Sequence, residues 1–385
     1  MTDAPEIRFN VPALEGRELD YVRESLEGGH TSSGGPFSAR AGELIAAATG
    51  AEEVLLTTSC STALELSAML MDLGPDDTVI VPSFTFTTSA LAFARQGARL
   101  LFCDIEPRTL GIDPEHLAEL LDDSVRAVVL VHYAGIACDV AGVRKVLEDR
   151  PDIAVVEDAA HALFGRWAGE PLGSLGRMAS LSFHETKNFV CGEGGALLLN
   201  DPRDVDRARV LYEKGTDRRA FLLGEVDKYS WRDTGSSFGM SDALAAYLTG
   251  QLEQAETIQA KRRRLFETYL ELMAEPAAEL GLGLPVVPAD CEPAWHLFHV
   301  LMPDHDIRTR VMARLREEGI YTTFHYVPLH SSDGGRRFAA REVDCPVTTD
   351  VSGRLLRLPF HNNVPEDDAT RVVETLARVT REEIG

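Results

Sequence analysis

Positive charge is what this chain of 385 residues has least of: 38 lysines and arginines face 61 aspartates and glutamates, a formal charge of −23. That balance argues against nucleic acid as a partner, because such binding rests mainly on Lys and Arg meeting phosphates. It does not exclude a small anionic ligand, since a local cluster outweighs a distant, screened surface. Cysteine is sparse. Six occur, at 60, 103, 138, 191, 291 and 345, with no Cys-x-x-Cys pair, so no zinc spacing appears and the thiols read as reduced. The histidines form no His-Glu-x-x-His, and no metal is expected. No run of about 18 apolar residues is present to span a membrane. Met1 to Glu6 lack the basic and apolar regions of a signal peptide. A cytoplasmic globular protein is the expectation.

Two phosphate-binding motifs are also missing. No Gly-x-Gly-x-x-Gly opens the first helix, which weighs against a dinucleotide enzyme. Gly192-Glu193-Gly194-Gly195 lacks the lysine and helix of a P-loop and precedes an apolar run, so it reads as a tight turn. What the chain does have is apolar runs of strand length alternating with helical stretches. Val54–Thr57, Thr78–Pro82, Arg99–Cys103, Ala127–His132, Ile153–Glu157 and Ala179–Phe183 read as strands. Continuous runs such as Ala127-Val128-Val129-Leu130-Val131 mark strands buried on both faces, as in a mainly parallel sheet. The fold class is therefore α/β, doubly wound. Met240 to about Glu275 reads as one long helix capped by Ser241. Beyond it, Trp295–Met302, Ile307–Glu318, Tyr321–Tyr326 and Asp367–Arg378 read strand, helix, strand, helix. The expected division is a large α/β domain over residues 1–250 and a smaller α+β domain over 251–385.

Lys187 stands out. It follows the short apolar strand ending at Phe183 and precedes the glycine turn. A lysine so placed loses water, and desolvation lowers its amine pKa from about 10.4, making it a nucleophile and proton carrier. Pyridoxal phosphate enzymes put their Schiff-base lysine in such a setting, although Lys-Asn pairs are also common in surface turns.

In open α/β sheets ligands gather at the carboxyl ends of the strands, and three further segments fall there. Thr57 to Thr62 ends a strand and opens a helix, so the amides of Cys60 and Ser61 either hold a phosphate or belong to an ordinary N-cap. Glu157 and Asp158 end another strand. Adjacent strand residues face opposite ways, so one of them, Asp158 by preference, can hold a pyridine nitrogen protonated; strand-end capping is the alternative. Phe84 and Phe86 end the second strand, where Phe86 either stacks on a ring or packs in the core.

Glu157-Asp158-Ala159-Ala160, Ser182-Phe183-His184-Glu185-Thr186-Lys187-Asn188 and Glu193-Gly194-Gly195 together resemble the sugar-nucleotide aminotransferases. These are a branch of the fold-type I, aspartate aminotransferase-like, pyridoxal phosphate enzymes. The resemblance runs from Gly34-Gly35-Pro36 to Leu355-Leu356-Arg357-Leu358-Pro359. Within the family, Lys214 to Arg218, Val226 to Tyr229 and Trp231 to Asp242 look closest to the dTDP-4-amino-4,6-dideoxygalactose transaminases.

The resemblance implies pyridoxal 5′-phosphate as cofactor, bonded to Lys187. It implies Asp158 at the pyridinium nitrogen, Ser182 with Cys60 and Ser61 at the phosphate, and Phe86 on the ring. His161 stands where many members have glutamine, and can still donate to the cofactor's 3-oxygen. Gly239 stands where many present an asparagine to the partner's phosphate. Lys214, Arg218 and Arg219 are candidates for the substrate's diphosphate, and His325 and Tyr326 for further substrate contacts; a solvated loop and a strand end are the bland alternatives. The implied partners are a dTDP-sugar, glutamate and a second copy of the chain, in a homodimer with shared sites. The expected reaction moves an amino group from glutamate to C4 of a 4-keto-6-deoxy sugar nucleotide. A C3 aminotransferase is the alternative, followed by a non-catalytic regulatory protein. Related C3 dehydratases carry histidine in place of the lysine, which Lys187 argues against.

Overall fold

The computed structural model describes residues 5–385. In chain order its first strands are β1 (Glu53–Thr57), β2 (Thr78–Pro82), β3 (Arg99–Cys103), β4 (Val125–Val131) and β5 (Ala154–Asp158). Then come β6 (Arg166–Trp167), β7 (Glu170–Pro171), β8 (Met178–Ser182), β9 (Gly195–Leu199), β10 (Cys291–Glu292), β11 (His299–Leu301) and β12 (Leu355–Arg357). Seven of them build the central sheet in the order β1-β9-β8-β5-β4-β2-β3. The pairs from β3 through β2, β4 and β5 to β8 are all parallel. β9 runs antiparallel to both β8 and β1. The sheet is thus mainly parallel, as expected, with its antiparallel part at one edge.

Both faces of the sheet are covered. Every residue of β2 and of β9 is buried. Alternate side chains of β9 enter different cores: Ala196 and Leu198 join one, Leu197 and Leu199 another. Period-two alternation with apolar residues at every position is what a strand buried on both sides requires. The helices α1 (Glu18–Glu27), α2 (Pro36–Thr49), α3 (Cys60–Leu70) and α4 (Thr88–Arg95) lie between or before the first strands. α3 begins with a capping box, Ser59 and Thr62 each satisfying the other's amide.

The long helix expected from Met240 is two helices, Asp242–Leu252 and Ala255–Leu280. The first ends because it is pinned. A Cβ at Gly250 would lie 2.7 Å from the Glu18 nitrogen, so this helix meets α1 backbone to backbone. Glu253 then accepts the Tyr21 hydroxyl at 2.8 Å and pairs with Arg40. The chain leaves helical geometry at Gln254 (φ −103, ψ 19) before resuming.

Toward the C-terminus, β11 pairs antiparallel with β12. The helices His305–Glu317 and Glu366–Ile384 share a core there with Leu265, Phe266, Tyr269 and Phe298. The strand expected over Trp295–Met302 shrinks to β11, because Trp295 has φ 53 and His296 turns its amide to the Ala134 carbonyl at 3.1 Å. Tyr321–Tyr326 is not a strand. Its pairing is divided between Ile7, which accepts the Tyr321 amide at 3.0 Å, and Arg357, which bridges to Thr323. No helix among the described residues is long and apolar enough to cross a membrane.

Candidate active site

The carboxyl ends of β1, β2, β5 and β8 open on a cavity of about 470 Å³. Lys187 lines it together with Cys60, Ser61, Phe86, Asp158, His161, Ser182, His325 and Tyr326, so nine of the residues singled out in the sequence meet at one place.

Lys187 is presented by the connection between β8 and β9. That connection is laced as a hairpin: Phe183 donates to Gly194 at 2.8 Å, Cys191 to Phe183 at 2.9 Å and Glu185 to Gly192 at 3.1 Å. Gly192, at φ 88, takes a left-handed conformation that favours glycine. The next residue, Asn188, is buried and donates to the Ala294 carbonyl at 2.5 Å while its oxygen meets His296 Nδ1 at 2.8 Å. Both flanks of the lysine are therefore fixed. Burial of its amine lowers the pKa to about 8; Arg357 adds to the lowering, while Cys60 and Asp158 oppose it.

The acid pair separates as strand geometry demands. Asp158 faces the cavity, where Oδ2 accepts the Ser89 hydroxyl at 2.5 Å and Oδ1 the Ala160 amide at 3.2 Å. Glu157 faces the other way and is wholly buried. Its carboxylate accepts the amides of Gly173, Leu175 and Gly176 at 2.7, 2.7 and 2.8 Å and meets His132 Nε2 at 3.0 Å. A carboxylate so surrounded is committed to structure, which leaves Asp158 for the cavity.

The residues fit an anionic, aromatic cofactor. In the first turn of α3 the Ser59 hydroxyl takes the Thr62 amide, and the amides of Cys60 and Ser61 remain as helix donors without an intrahelical acceptor. A Cβ on Gly195 would lie 2.3 Å from the Ser59 carbonyl carbon and 2.4 Å from the Cys60 nitrogen, so only glycine lets β9 approach this turn so closely. Phe86 is 58% exposed and lines the cavity instead of joining the core. His161 stacks on His296 with ring centroids 4.0 Å apart, and its Nδ1 has no protein partner. Burial first, then the charge of Lys187, holds His161 well below the usual imidazole range.

Lys214, Arg218 and Arg219 are not brought to this cavity within the chain. Bridges from Glu213 to Ser237 and from Thr216 to Trp231 fold their segment on itself, and Arg219 pairs with Glu53 at 2.7 Å. At Gly239 a side chain has no space: a Cβ would lie 2.5 Å from that of Ser33 and 2.9 Å from the Tyr212 oxygen. Sequence reasoning missed Ser89, His296 and, as a cavity residue, Arg357. Arg357 left a signal, a single charge inside Leu-Leu-Arg-Leu. The other two left none, because a serine within α4 and a histidine in a loop look ordinary until the chain folds.

The model of the DegT/DnrJ/EryC1/StrS aminotransferase family matches residues 12–377. The chain belongs to that family. It is 31% identical over 382 residues, 97% of each chain, to the spore coat polysaccharide biosynthesis protein SpsC of Bacillus subtilis (strain 168). Among solved structures it is similar to the aminotransferase TlmJ of Streptoalloteichus hindustanus, with TM-score 0.89 and 29% identity over 98% of this chain and 100% of that one. It is also similar to DesV of S. venezuelae, solved in complex with a ketimine intermediate, with TM-score 0.88 and 28% identity over 98% and 99%. The fold is that of the fold-type I aminotransferases, as the sequence resemblance implied.

Proposed function

We propose that this aminotransferase moves an amino group from glutamate to C4 of a 4-keto-6-deoxyhexose carried on dTDP, giving a 4-amino-4,6-dideoxy sugar nucleotide. Its cofactor is pyridoxal 5′-phosphate. The observation that carries the reading is Lys187, a desolvated amine sharing one cavity with the carboxylate of Asp158 and the open amides of α3. The C4 position and the dTDP carrier rest on the sequence likeness over Lys214–Asp242.

When bound, the cofactor supplies a carbonyl that condenses with amines and a ring that takes up the electrons left when the α proton departs. The chain does the rest. Lys187 receives the donor's α proton and delivers it elsewhere, and the face from which it returns a proton to the sugar sets the configuration of the new amine. Asp158, held by Ser89, keeps the ring nitrogen protonated. The Cys60 and Ser61 amides and Ser182 bind the phosphate, Phe86 covers the ring, and His161 reaches the 3-oxygen. Tyr326 and His325 line the substrate side.

A homodimer is part of the proposal. The segment holding Lys214, Arg218 and Arg219 exposes Leu222, Leu223, Tyr229 and Trp231, the last 83% exposed, an apolar surface of the kind that partners cover. A second copy seated there would bring those cations toward the substrate's diphosphate in the neighbouring site. The setting we propose is cytoplasmic, and the chain divides into lobes at about residue 250.

Incubation with glutamate and a panel of 4-keto and 3-keto nucleotide sugars, with products read by NMR, tests this. Amination at C4 alone supports the reading. Turnover of 3-keto sugars alone overturns it in favour of a C3 aminotransferase, and a Lys187→Ala variant that still turns over overturns the transaminase chemistry itself.

A further inference from the structure

Three consecutive carbonyls, those of Ala294, Trp295 and His296, turn to side-chain donors. Asn188 Nδ2 donates to Ala294 at 2.5 Å. Arg262, on the helix Ala255–Leu280, takes the other two: Nε donates to Trp295 at 2.8 Å and a terminal nitrogen to His296 at 2.5 Å. Its second terminal nitrogen donates to Asn362 Oδ1 at 2.8 Å, and the Asn362 amide is oriented by its own donation to Glu15 at 3.1 Å. Arg262 is 2% exposed, and burial brings its pKa down to about 9, with Arg357 adding to the lowering. All three acceptors are neutral, so no ion pair offsets the burial of this cation. What a guanidinium provides here is a planar fork that spans acceptors on two segments at once.

The turn that Arg262 holds is strained. Trp295 has φ 53, a left-handed conformation that bulky side chains rarely adopt and that persists only where neighbours enforce it. On the other side of the turn, the amides of Ala294 and His296 donate to Gly135 and Ala134 at 2.8 and 3.1 Å. The His296 imidazole then reaches Asn188. Because Asn188 gives its NH2 to Ala294, its oxygen faces His296, whose Nδ1 carries the ring's proton and donates at 2.8 Å. Asn188 is bonded in sequence to Lys187. A continuous path therefore runs from Arg262 through the strained turn and Asn188 to the amine.

We propose that Arg262 is a positioning residue for Lys187: its fork holds the turn at Trp295 and His296 against which Asn188, and with it the amine, is set. The proposal rests on the transaminase reading for what the amine does, and names the distant residue that places it. The ionisable groups that act on the amine, or on which its charge acts, are Cys60, Asp158, Arg357, His161, His296 and His325. Arg262 is not among them and does not line the cavity. Its removal therefore reaches Lys187 through the turn.

Competitive acetylation of the cofactor-free chain with acetic anhydride, with Lys187 followed by peptide mass spectrometry, gives the amine's titration midpoint. In Arg262→Gln the turn relaxes and water reaches the amine, so the midpoint should rise from about 8 to about 9, toward a free lysine. Arg262→Lys keeps the charge but has one nitrogen for three acceptors, and should shift nearly as far. Asn188→Ala cuts the path beside the amine, and combining it with Arg262→Gln should shift the midpoint no further than Asn188→Ala alone. In the cofactor-loaded enzyme, Arg262→Gln should slow the limiting rate of band bleaching by L-glutamate about tenfold, with half-saturating glutamate near wild type. A wild-type midpoint in Arg262→Gln, full rescue by Arg262→Lys, or shifts that add in the double variant overturn the proposal. Should Arg262→Gln not fold, Asn362→Ala, which removes one acceptor of the fork, decides: a smaller rise supports the proposal and an unchanged midpoint overturns it. If the midpoint moves as expected but glutamate bleaches no band in the wild type, the positioning stands and the transaminase reading falls.

Discussion

Ser89 gives its hydroxyl hydrogen to Asp158 Oδ2 at 2.5 Å, and its oxygen lies 2.8 Å from the Thr85 hydroxyl. A serine has one hydrogen to donate, so Thr85 must be the donor to Ser89, and the chain of hydroxyls points its charge-stabilising end at the carboxylate. Ser89→Ala should loosen Asp158 and weaken cofactor retention about tenfold, the scale of one hydrogen bond to a charged group. Titration of the cofactor-free protein with pyridoxal 5′-phosphate, followed by fluorescence, measures it; unchanged affinity would mean that Asp158 is held by other contacts.

The depressed pKa of Lys187 sets a pH dependence. With the amine at about 8, its neutral, nucleophilic fraction rises as pH climbs to that value and then levels off. The rate at which cofactor-free protein captures pyridoxal 5′-phosphate should follow the same curve, and stopped-flow absorbance reads it. A rate still climbing steeply well above pH 8 would place the amine in water. The same shift acts on stability. Between the folded value of about 8 and the unfolded value of about 10.4 the unfolded chain binds the extra proton, so Lys187 makes the cofactor-free protein more stable as pH rises through that window. Lys187→Met removes that slope.

Glu157 and Asp158 are neighbours with opposite expected phenotypes. Glu157→Gln would put an amide NH2 in place of one carboxylate oxygen, facing either the Leu175 and Gly176 N–H groups or the Gly173 N–H and His132 Nε2, and so leave buried donors unmatched. Its cost should be about 2–3 kcal/mol in denaturant unfolding. Asp158→Asn should leave stability near wild type and abolish amino transfer. The reverse ranking would show that the roles have been exchanged.

Gly195→Ala tests the approach of β9 to α3. The new methyl would meet backbone atoms of Ser59 and Cys60 closer than any Cβ tolerates. The first turn of α3 must shift, and cofactor affinity should drop more than about tenfold, since misplaced amides lose charge-assisted hydrogen bonds. Dialysis followed by measurement of bound cofactor decides it; full retention would show that the phosphate does not use this turn.

Strand positions were legible because burial on both faces leaves unbroken apolar runs, as in Thr-Val-Ile-Val-Pro. That only one of Glu157 and Asp158 could face the cavity was legible from strand alternation, which does not say which one; the preference for Asp158 went with the family resemblance. What failed depended on distant contacts. The break after Leu252 is set by Glu18, Tyr21 and Arg40, more than 200 positions away, and helical periodicity carries no trace of it. Tyr321–Tyr326 has strand composition but two different pairing partners. Lys214, Arg218 and Arg219 look like a ligand cluster in sequence, yet the bridges at Glu213 and Thr216 hold them away from their own chain's cavity.

The hairpin between β8 and β9 gives Lys187 a position fixed by near neighbours in sequence. Its bonds join residues no more than eleven apart, Phe183 with Gly194 at the widest. Loop closure over so short a span is entropically cheap, whereas the sheet around it needs strands brought together from β1 to β9. For anyone grafting new specificity onto this scaffold, the segment from Phe183 to Gly194 is a cassette of set length. Residues can be exchanged around the rim of the cavity, but inserting or deleting one inside the cassette would rotate the amine out of the site.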